Sequence, residues 1–320
     1  MKAIGGYFEL ELQDNKSIYH DNAIALNTGR NALEYILMTN KKIKKVFLPY
    51  YTCDVLLQPI KRLNLDVDFY GMDEELLPKL NLIRKNEAIV YVNYFGIMNK
   101  KIKIVLDRYE NLIIDNSQSF FAKPFNNIPT FYSPRKFFGL PDGGFAYTNR
   151  IIKNNLEQDI SLDRISHLVG RIEKGAESFF PIFKENDKKL DNLPLKKMSN
   201  LTLRLMRNIN FEEVKDRRNK NFTLLHNFLR EINEFSTLID NEIVDGPMVY
   251  PFLIKEGKKL RKHLIKNKIY VATYWSNVYQ WVNKKDWEYY LTDNLIPLPI
   301  DQRYSLNEMK KIIEVIWKYI

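Results

Sequence analysis

The sequence predicts an α/β fold: a mainly parallel, seven-stranded-type sheet sandwiched by helices, followed by a small C-terminal α+β domain. Short runs of β-branched and aromatic residues alternate with helix-compatible segments in the first half of the chain, which is typical of βαβ units. One such run, residues 88–92, is almost continuously apolar, as expected of a strand that helices cover on both faces. The length of 320 residues is enough for about two domains.

The elements of the first half follow from local patterns. Apolar and β-branched runs predict strands at residues 46–48, 67–70, 88–92, 112–114 and 130–132. A further strand at 145–148, just after Gly143-Gly144, would lie on the sheet with opposite polarity. Helical spacing of apolar residues predicts helices at 31–38 and 55–63.

After about residue 150 the chain becomes richer in charge and more helical. The predicted elements are helices at 154–175 and, as two or more, at 200–231, a polar connection at 184–197, strands at 248–250 and 269–271, and helices at 258–266 and 306–320. This change predicts a large domain at 1–200 and a small domain at 201–320.

The composition limits the class of protein. Hydrophobic residues make up 45% of the chain and charged residues 28%, which excludes disordered and collagen-like classes. The single cysteine excludes a disulfide framework and fits a reducing compartment. Because Glu9 and Glu11 interrupt the N-terminal region, we expect no secretory signal, and no window is apolar enough to predict a membrane span. The net charge of +10 attracts phosphates of nucleic acid, lipid or a small ligand.

Lys136 is a candidate nucleophile. It precedes Phe137 and Phe138, and a loop rich in Gly, Pro and Asp follows. An apolar setting lowers the pKa of a lysine, and the neutral amine is the form that attacks a carbonyl carbon. The alternative is an ordinary surface lysine whose stem lies on aromatic rings.

Asp115 is a candidate partner for a cationic ring. It ends the apolar run 112–114, and ligands of open α/β sheets bind at the carboxyl ends of strands. Two unit charges about 4 Å apart attract by roughly 4 kcal/mol at an effective dielectric near 20. The alternative is an aspartate that caps the next helix.

Two weaker segments accompany these residues. Residues 28–30, Thr-Gly-Arg, open a predicted helix, and the N-terminus of a helix favours an anion. Residues 93–96 place Asn, Tyr, Phe and Gly after another strand, where they either face a ligand or form a tight turn with core aromatics.

The order of these segments resembles that of the DegT/DnrJ/EryC1/StrS family, the pyridoxal-phosphate-dependent sugar aminotransferases of the aspartate-aminotransferase fold (fold type I). The resemblance covers nearly the whole chain. Its most specific parts are the spacings of Asp115 with Gln118 and of Lys136 with Gly143-Gly144. The other matching elements are Gly5-Gly6, residues 28–33, Pro49-Tyr50-Tyr51-Thr52, residues 92–96, Asp142, Arg217-Arg218 and residues 296–300.

The resemblance implies pyridoxal 5′-phosphate as the cofactor. Lys136 would hold it covalently and then shuttle a proton, while Asp115 would keep the pyridine nitrogen protonated. Gln118 would donate a hydrogen bond to the ring oxygen. The phosphate would lie at the helix start, on Thr28, Gly29 and Arg30, with Ser133 nearby. The alternative for Arg30 is a side chain that points away from the phosphate.

Several positions depart from the family pattern. Phe131 stands where the family has a phosphate-binding serine, so Ser133 or Thr130 would replace it. Cys53 stands where an aromatic residue stacks on the ring, so Tyr51 or Tyr50 would stack instead, unless both pack in the core. Asn93 replaces a histidine, and residues 154–199 have no clear counterpart. The sequence therefore indicates a divergent branch.

The resemblance implies a cytoplasmic homodimer that transfers an amino group, from glutamate, to a keto sugar carried by a nucleoside diphosphate, in surface-polysaccharide synthesis. One alternative is an enzyme with the same cofactor but different chemistry, such as elimination. Lys136 argues against the sugar-deoxygenating branch, which has histidine there. A second alternative is an inactive relative that binds a nucleotide sugar or a partner. No nucleic-acid-binding motif is present, and the four histidines lack metal-ligand spacing.

Overall fold

The computed structural model describes residues 4–14, 17–152 and 155–320. In these residues the main sheet consists of β1 (Ile24–Leu26), β2 (Lys45–Pro49), β3 (Asp66–Met72), β4 (Pro78–Lys79), β5 (Glu87–Val92), β6 (Leu112–Asp115), β7 (Thr130–Tyr132) and β8 (Gly144–Tyr147). The strand order is β1-β8-β7-β6-β5-β2-β3-β4. Strands β3, β2, β5, β6 and β7 are parallel, and β8 runs antiparallel to β7 and β1. The predicted sheet is confirmed, including the reversed strand after Gly143-Gly144.

Successive residues of the central strand β5 enter two different cores. Ala88 and Val90 pack in one core with α1 (Gly29–Thr39) and α2 (Leu57–Arg62). Ile89 and Tyr91 pack in the other core with α3 (Asn99–Leu106) and with the C-terminal part of the chain. This arrangement explains why β5 has no polar face, since side chains alternate across a strand.

The C-terminal part is mostly helical. Its elements are α4 (Ser166–Ser178), α5 (Phe180–Lys188), α6 (Asn200–Arg207), α7 (Phe211–Leu229), α8 (Ser236–Asp240), β9 (Val249–Leu253), α9 (Gly257–Lys266), α10 (Val278–Trp281), α11 (Trp287–Asn294), β10 (Leu295–Pro299) and α12 (Leu306–Trp317). Strands β9 and β10 form a separate antiparallel pair. One hydrophobic core contains residues from both sides of position 200, so the division into domains 1–200 and 201–320 stays a prediction. None of the helices described is long and apolar enough to cross a bilayer.

Three predicted elements differ from the structure. The helix predicted at 154–175 starts only at Ser166, and Asn154 lies outside the described residues. The backbone before it bonds elsewhere, since the Asp159 N–H donates to the Lys197 carbonyl at 3.0 Å. The predicted connection at 184–197 begins inside α5. The strand predicted at 269–271 is absent, because the Ile269 N–H closes the end of α9 by donating to the Leu264 carbonyl at 2.9 Å.

His20 is buried among aromatic rings beside β8. Its ring centroid lies 4.2 Å from that of Tyr132, and only 2% of the residue is exposed. Nε2 lies 2.8 Å from the Phe120 carbonyl oxygen and Nδ1 lies 3.0 Å from the Tyr147 hydroxyl. The neutral ring satisfies both contacts, with Nε2–H donating and Nδ1 accepting. Burial lowers the pKa of His20 from 6.5 to about 4.

We expect this histidine to make folding sensitive to acid. Between pH 6.5 and about 4 the unfolded chain binds a proton that the folded chain does not, so stability falls as the pH falls through this window. The loss is about 3 kcal/mol and grows no further below the folded pKa. Urea unfolding of wild type and His20→Gln at several pH values measures it. His20→Gln should lack this contribution, whereas His263→Gln should keep it because His20 is intact. An unchanged slope in His20→Gln would contradict the assignment.

Candidate active site

The carboxyl ends of β5, β6 and β7 meet at one edge of the sheet. The Asn93 N–H donates to the Asp115 carbonyl at 2.9 Å, and the Asn116 N–H donates to the Phe131 carbonyl at 2.8 Å. The Asn93 side chain also donates to the side-chain oxygen of Asn116 at 3.0 Å. The chain segments that the sequence analysis selected separately therefore lie side by side, as expected for a site at strand ends.

Lys136 is linked to Asp115 through Ser117. The lysine ends a short 3-10 turn, Pro134–Lys136, and its Nζ donates to Ser117 Oγ at 2.9 Å. The Ser117 N–H in turn donates to Asp115 Oδ1 at 2.7 Å. The predicted apolar setting of the lysine is wrong, because Phe137 is buried while Lys136 itself is exposed. A hydroxyl group rather than an aromatic environment orients the amine.

Asp115 is a buried carboxylate that lacks a close cation. It is 3% exposed, and burial raises its pKa while Lys136 lowers it in part. In the part of the chain that the structure describes, no Lys, Arg or His nitrogen lies within 4.0 Å of the carboxylate. An unpaired buried carboxylate is costly and favours a cationic partner. Asp115 is therefore suited to hold a protonated group of a ligand.

The N-terminus of α1 lies against the lysine turn. Thr28 caps the helix, with its Oγ1 accepting from the Asn31 N–H at 3.0 Å. Gly29 is so close to the turn that an added Cβ would lie 3.1 Å from the Cβ of Ser133. The start of the helix, Ser133 and Lys136 therefore border one region, and a helix N-terminus attracts anions there.

The Gly143-Gly144 pair allows the N-terminus of α1 and the lysine turn to lie close together. A Cβ at Gly143 would lie 2.9 Å from Cγ of Pro134, and a Cβ at Gly144 would overlap the Thr28 carbonyl. Gly143 also has a φ of +129°, which side chains disfavour. The lysine turn packs on the first glycine and the start of α1 on the second.

The two arginines beside this region are paired with acids. Arg30 Nη1 donates to Asp191 Oδ1 at 2.6 Å and to Gln58 at 2.9 Å. Arg135 donates to Asp187 Oδ1 at 3.0 Å, and burial lowers its pKa. Both acids belong to the stretch 154–199, for which the sequence resemblance gives no clear counterpart. The Arg30 side chain thus faces that segment, while its backbone N–H stays at the helix start.

The residues considered for the ring face differ in position. Tyr51 is fully buried, and its ring centroid lies 5.0 Å from that of Trp275. Tyr50 stacks on Phe69 at 5.2 Å. Tyr51 therefore follows the core-packing alternative, whereas Tyr50 is half-buried and packs on Phe69 outside both hydrophobic cores. Cys53 is half-buried; burial raises the pKa of its thiol, and the nearby Lys136 opposes this shift.

Gln118 is buried in the same edge. Its Oε1 accepts from the N–H of Phe95 at 2.9 Å, and Phe95 has a left-handed φ of 60°. Gln118 therefore holds the turn that follows β5, which leaves its amide NH2 as the group that can donate elsewhere.

No protein-family model matches the chain, and no curated protein sequence matches it. Solved structures do match. An aminotransferase described as DegT DnrJ EryC1 StrS, from Brucella abortus, aligns over 94% of this chain and 86% of its own, with a TM-score of 0.63 and 18% identity. The chain has the fold of this aminotransferase. This result confirms the fold that the sequence resemblance implied.

Two further structures support the same fold. Spr1654 from Streptococcus pneumoniae, in its PLP-form, has a TM-score of 0.61 and 14% identity over 93% of this chain and 88% of its own. DesI, solved in the presence of its TDP-sugar product, has a TM-score of 0.62 and 12% identity over 92% of this chain and 79% of its own.

Within this fold, one contributor was missed and another was matched without a role. Ser117 was overlooked, although it lies two residues after Asp115. At that distance its side chain can reach back to the carboxyl end of β6. Asp142 was matched by its spacing alone, and the structure gives it a capping role. It is fully buried and accepts from the Ser199 N–H at 2.9 Å, from Ser199 Oγ and from the Thr202 hydroxyl, all at the start of α6. Asp142 thereby ties the loop after Lys136 to α6.

Proposed function

We propose that this protein is a pyridoxal-5′-phosphate-dependent aminotransferase that acts on a keto sugar carried by a nucleotide. The observation that carries the proposal is the link from Lys136 through Ser117 to the buried, unpaired Asp115, beside the N-terminus of α1. An amine, a buried carboxylate and an anion-binding helix start are the groups that a phosphorylated pyridine aldehyde requires.

The residues present fit this cofactor. Asp115 would accept a hydrogen bond from the protonated ring nitrogen. This nitrogen would supply the cation that the carboxylate lacks. The N–H groups of Gly29 and Arg30, with Thr28 at the cap and Ser133 alongside, would hold the phosphate. Cys53 would lie at the ring face and Gln118 would donate to the ring oxygen. When bound, the cofactor supplies an electron sink for moving an amino group between carbons.

The chain itself supplies binding, orientation and proton transfer. The exposed Lys136 Nζ can take a proton from one carbon and return it to another, since proton transfer needs a mobile but positioned base. Ser117 Oγ restricts where Nζ points. The Asp115 carboxylate, removed from water, would hold a proton on the ring nitrogen of the bound cofactor.

The proposal also names a substrate, an amino donor, a cellular location and a pathway. The TDP-sugar product of DesI, within the shared fold, supports a nucleotide-sugar substrate, and the surplus of 10 positive charges would attract its diphosphate. We propose glutamate as the amino donor, the cytoplasm as the location and surface-polysaccharide synthesis as the pathway, on the family resemblance alone.

A homodimer is also part of the proposal. Large apolar side chains are exposed near the N-terminus, where Tyr7 and Phe8 are 99% and 92% accessible, and on α4, where Ile172 is 84% accessible. A second copy of the chain that packs on these side chains would remove them from water.

The test is covalent trapping on the purified protein. Pyridoxal phosphate should produce a visible-range absorbance band, and borohydride should fix one pyridoxyl group per chain on the peptide that contains Lys136. Glutamate added before borohydride should abolish the trapping by converting the cofactor to its amine form. Absence of trapping, or trapping only on other lysines, would overturn the proposal. Trapping on Lys136 without conversion by any amino acid would instead favour the inactive relative.

A further inference from the structure

The turn that carries Lys136 is held by the C-terminal part of the chain at one carbonyl group. Gln302, after β10, donates from Nε2 to the Phe137 carbonyl at 2.8 Å. Arg218, in α7, donates from Nη2 to the same oxygen at 3.3 Å. Two donors that lie 165 and 81 residues away in the chain thus converge on the residue that follows the lysine.

Arg218 is itself rigidly held. It is 1% exposed, and its Nη1 donates to the Pro247 and Met248 carbonyls at 3.0 Å each. Its Nε donates to Gln302 Oε1 at 3.1 Å, and its guanidinium carbon lies 4.6 Å from the centre of the Phe137 ring. Burial lowers its pKa to about 10. Every group on the guanidinium has a partner, so the side chain cannot rotate without leaving buried donors unpaired.

The other side of the turn is held locally. The Phe137 N–H donates to the Pro134 carbonyl at 2.9 Å, and the Lys136 N–H donates to the Ser133 carbonyl at 3.2 Å. The peptide groups on both sides of Lys136 are therefore fixed. The side chain beyond them is exposed, and its Nζ donates to Ser117 Oγ.

We propose that Arg218 and Gln302 are positioning residues for Lys136: they clamp the Phe137 carbonyl and thereby set the direction of the lysine side chain toward Ser117. This inference rests on the proposed function, because it assigns the clamp to the reacting amine. The physical reason is geometric. A long side chain on a loose backbone samples many directions, and a misplacement of about 1 Å costs on the order of 10²-fold in rate.

A matched control exists in the same part of the chain. Arg261, in α9, is 6% exposed and donates to the carbonyls of Thr292, Asp293 and Leu295 at 3.2, 3.3 and 2.7 Å. It holds carbonyls as Arg218 does, but those carbonyls belong to α11 and β10 rather than to the lysine turn. Arg261→Lys therefore reports the effect of weakening a buried carbonyl clamp elsewhere.

The first experiment compares the rate of pyridoxal-phosphate attachment to Lys136, measured by borohydride trapping and peptide mapping. The variants are Gln302→Leu, Gln302→Glu, Arg218→Lys and the control Arg261→Lys. Gln302→Leu should slow attachment about 10-fold or more. Gln302→Glu should slow it comparably, because glutamate keeps an acceptor for Arg218 Nε but cannot donate to the Phe137 carbonyl. Arg261→Lys should attach the cofactor within about 2-fold of the wild-type rate at matched folded fraction.

The second measurement needs no cofactor. Brief acetylation followed by mass spectrometry reports the reactivity of each lysine. In Gln302→Leu the reactivity of Lys136 should rise at least about 3-fold, because Nζ spends less time bonded to Ser117, while that of Lys85 should not change.

The outcomes separate the two proposals. If the wild-type protein is not trapped on Lys136, the proposed function is overturned. The positioning role of Arg218 and Gln302 is then overturned with it. If wild type is trapped but the Gln302 variants and Arg261→Lys slow attachment equally, in proportion to lost stability, only the positioning role is overturned. Should Arg218→Lys not fold, the Gln302 variants and the acetylation result decide, since Gln302 is only half-buried.

Discussion

Lys136→Ala is expected to abolish attachment of pyridoxal phosphate and to lower amino transfer by more than about 10³-fold. The variant removes the amine that would hold the cofactor and move the proton, and a positioned proton-transfer group alone contributes typically 10²–10⁴-fold. The measurements are borohydride trapping and the single-turnover rate with glutamate.

Loss of folding should not explain this result. Lys136 is exposed and its side chain contributes one hydrogen bond among the described residues, from Nζ to Ser117 Oγ, so the free energy of unfolding should change by no more than about 0.5 kcal/mol. Lys85→Ala, at another exposed lysine, should keep both trapping and turnover. A Lys136→Ala protein that transfers amino groups at the wild-type rate would refute the assignment.

Gly144→Ala is expected to lower the free energy of unfolding by more than about 2 kcal/mol. The added methyl group would overlap the Thr28 carbonyl and lie 2.7 Å from the Gly29 nitrogen, and neither backbone atom can move without separating α1 from β8. Because that separation also opens the start of α1, the remaining folded protein should bind pyridoxal phosphate more than about 10-fold more weakly.

Gly139→Ala is the control in the same loop. A Cβ there would lie 3.5 Å from Cδ2 of Leu168, an ordinary contact, so the change should cost less than about 1 kcal/mol. Urea unfolding and cofactor titration of both variants test the comparison. Equal stability of the two variants would show that the glycine pair is not needed for the contact between α1 and the lysine turn.

The local patterns predicted most of the sheet because burial on both faces leaves a direct trace in sequence. The strand at residues 88–92 could be predicted without tertiary information, since each of these residues is apolar and packs in one of the two cores. The three-residue strand β1 left no such trace. Strand β10 was not predicted either; it contains Pro297 and Pro299, which usually argue against a strand, and it is tolerated here as one of only two paired strands.

The sequence alone also selected Lys136 and Asp115 as candidates, Asp115 because it ends an apolar strand and Lys136 because aromatic residues and a loop rich in Gly, Pro and Asp follow it. The environment of each residue could not be predicted in the same way. The aromatic neighbours of Lys136 suggested an apolar setting, but adjacent side chains of a turn point in different directions, so Phe137 is buried and Lys136 is not.

What the sequence by itself determined, then, is the alternation of strands and helices and the choice of Asp115 and Lys136 as candidates, since these depend on neighbours along the chain. Only the tertiary structure decided which groups surround them. Arg30 meets Asp191 across 161 residues, and Arg218 meets the Phe137 carbonyl across 81. Such contacts depend on how distant elements pack, and a long polar side chain has many partners within reach until that packing selects one.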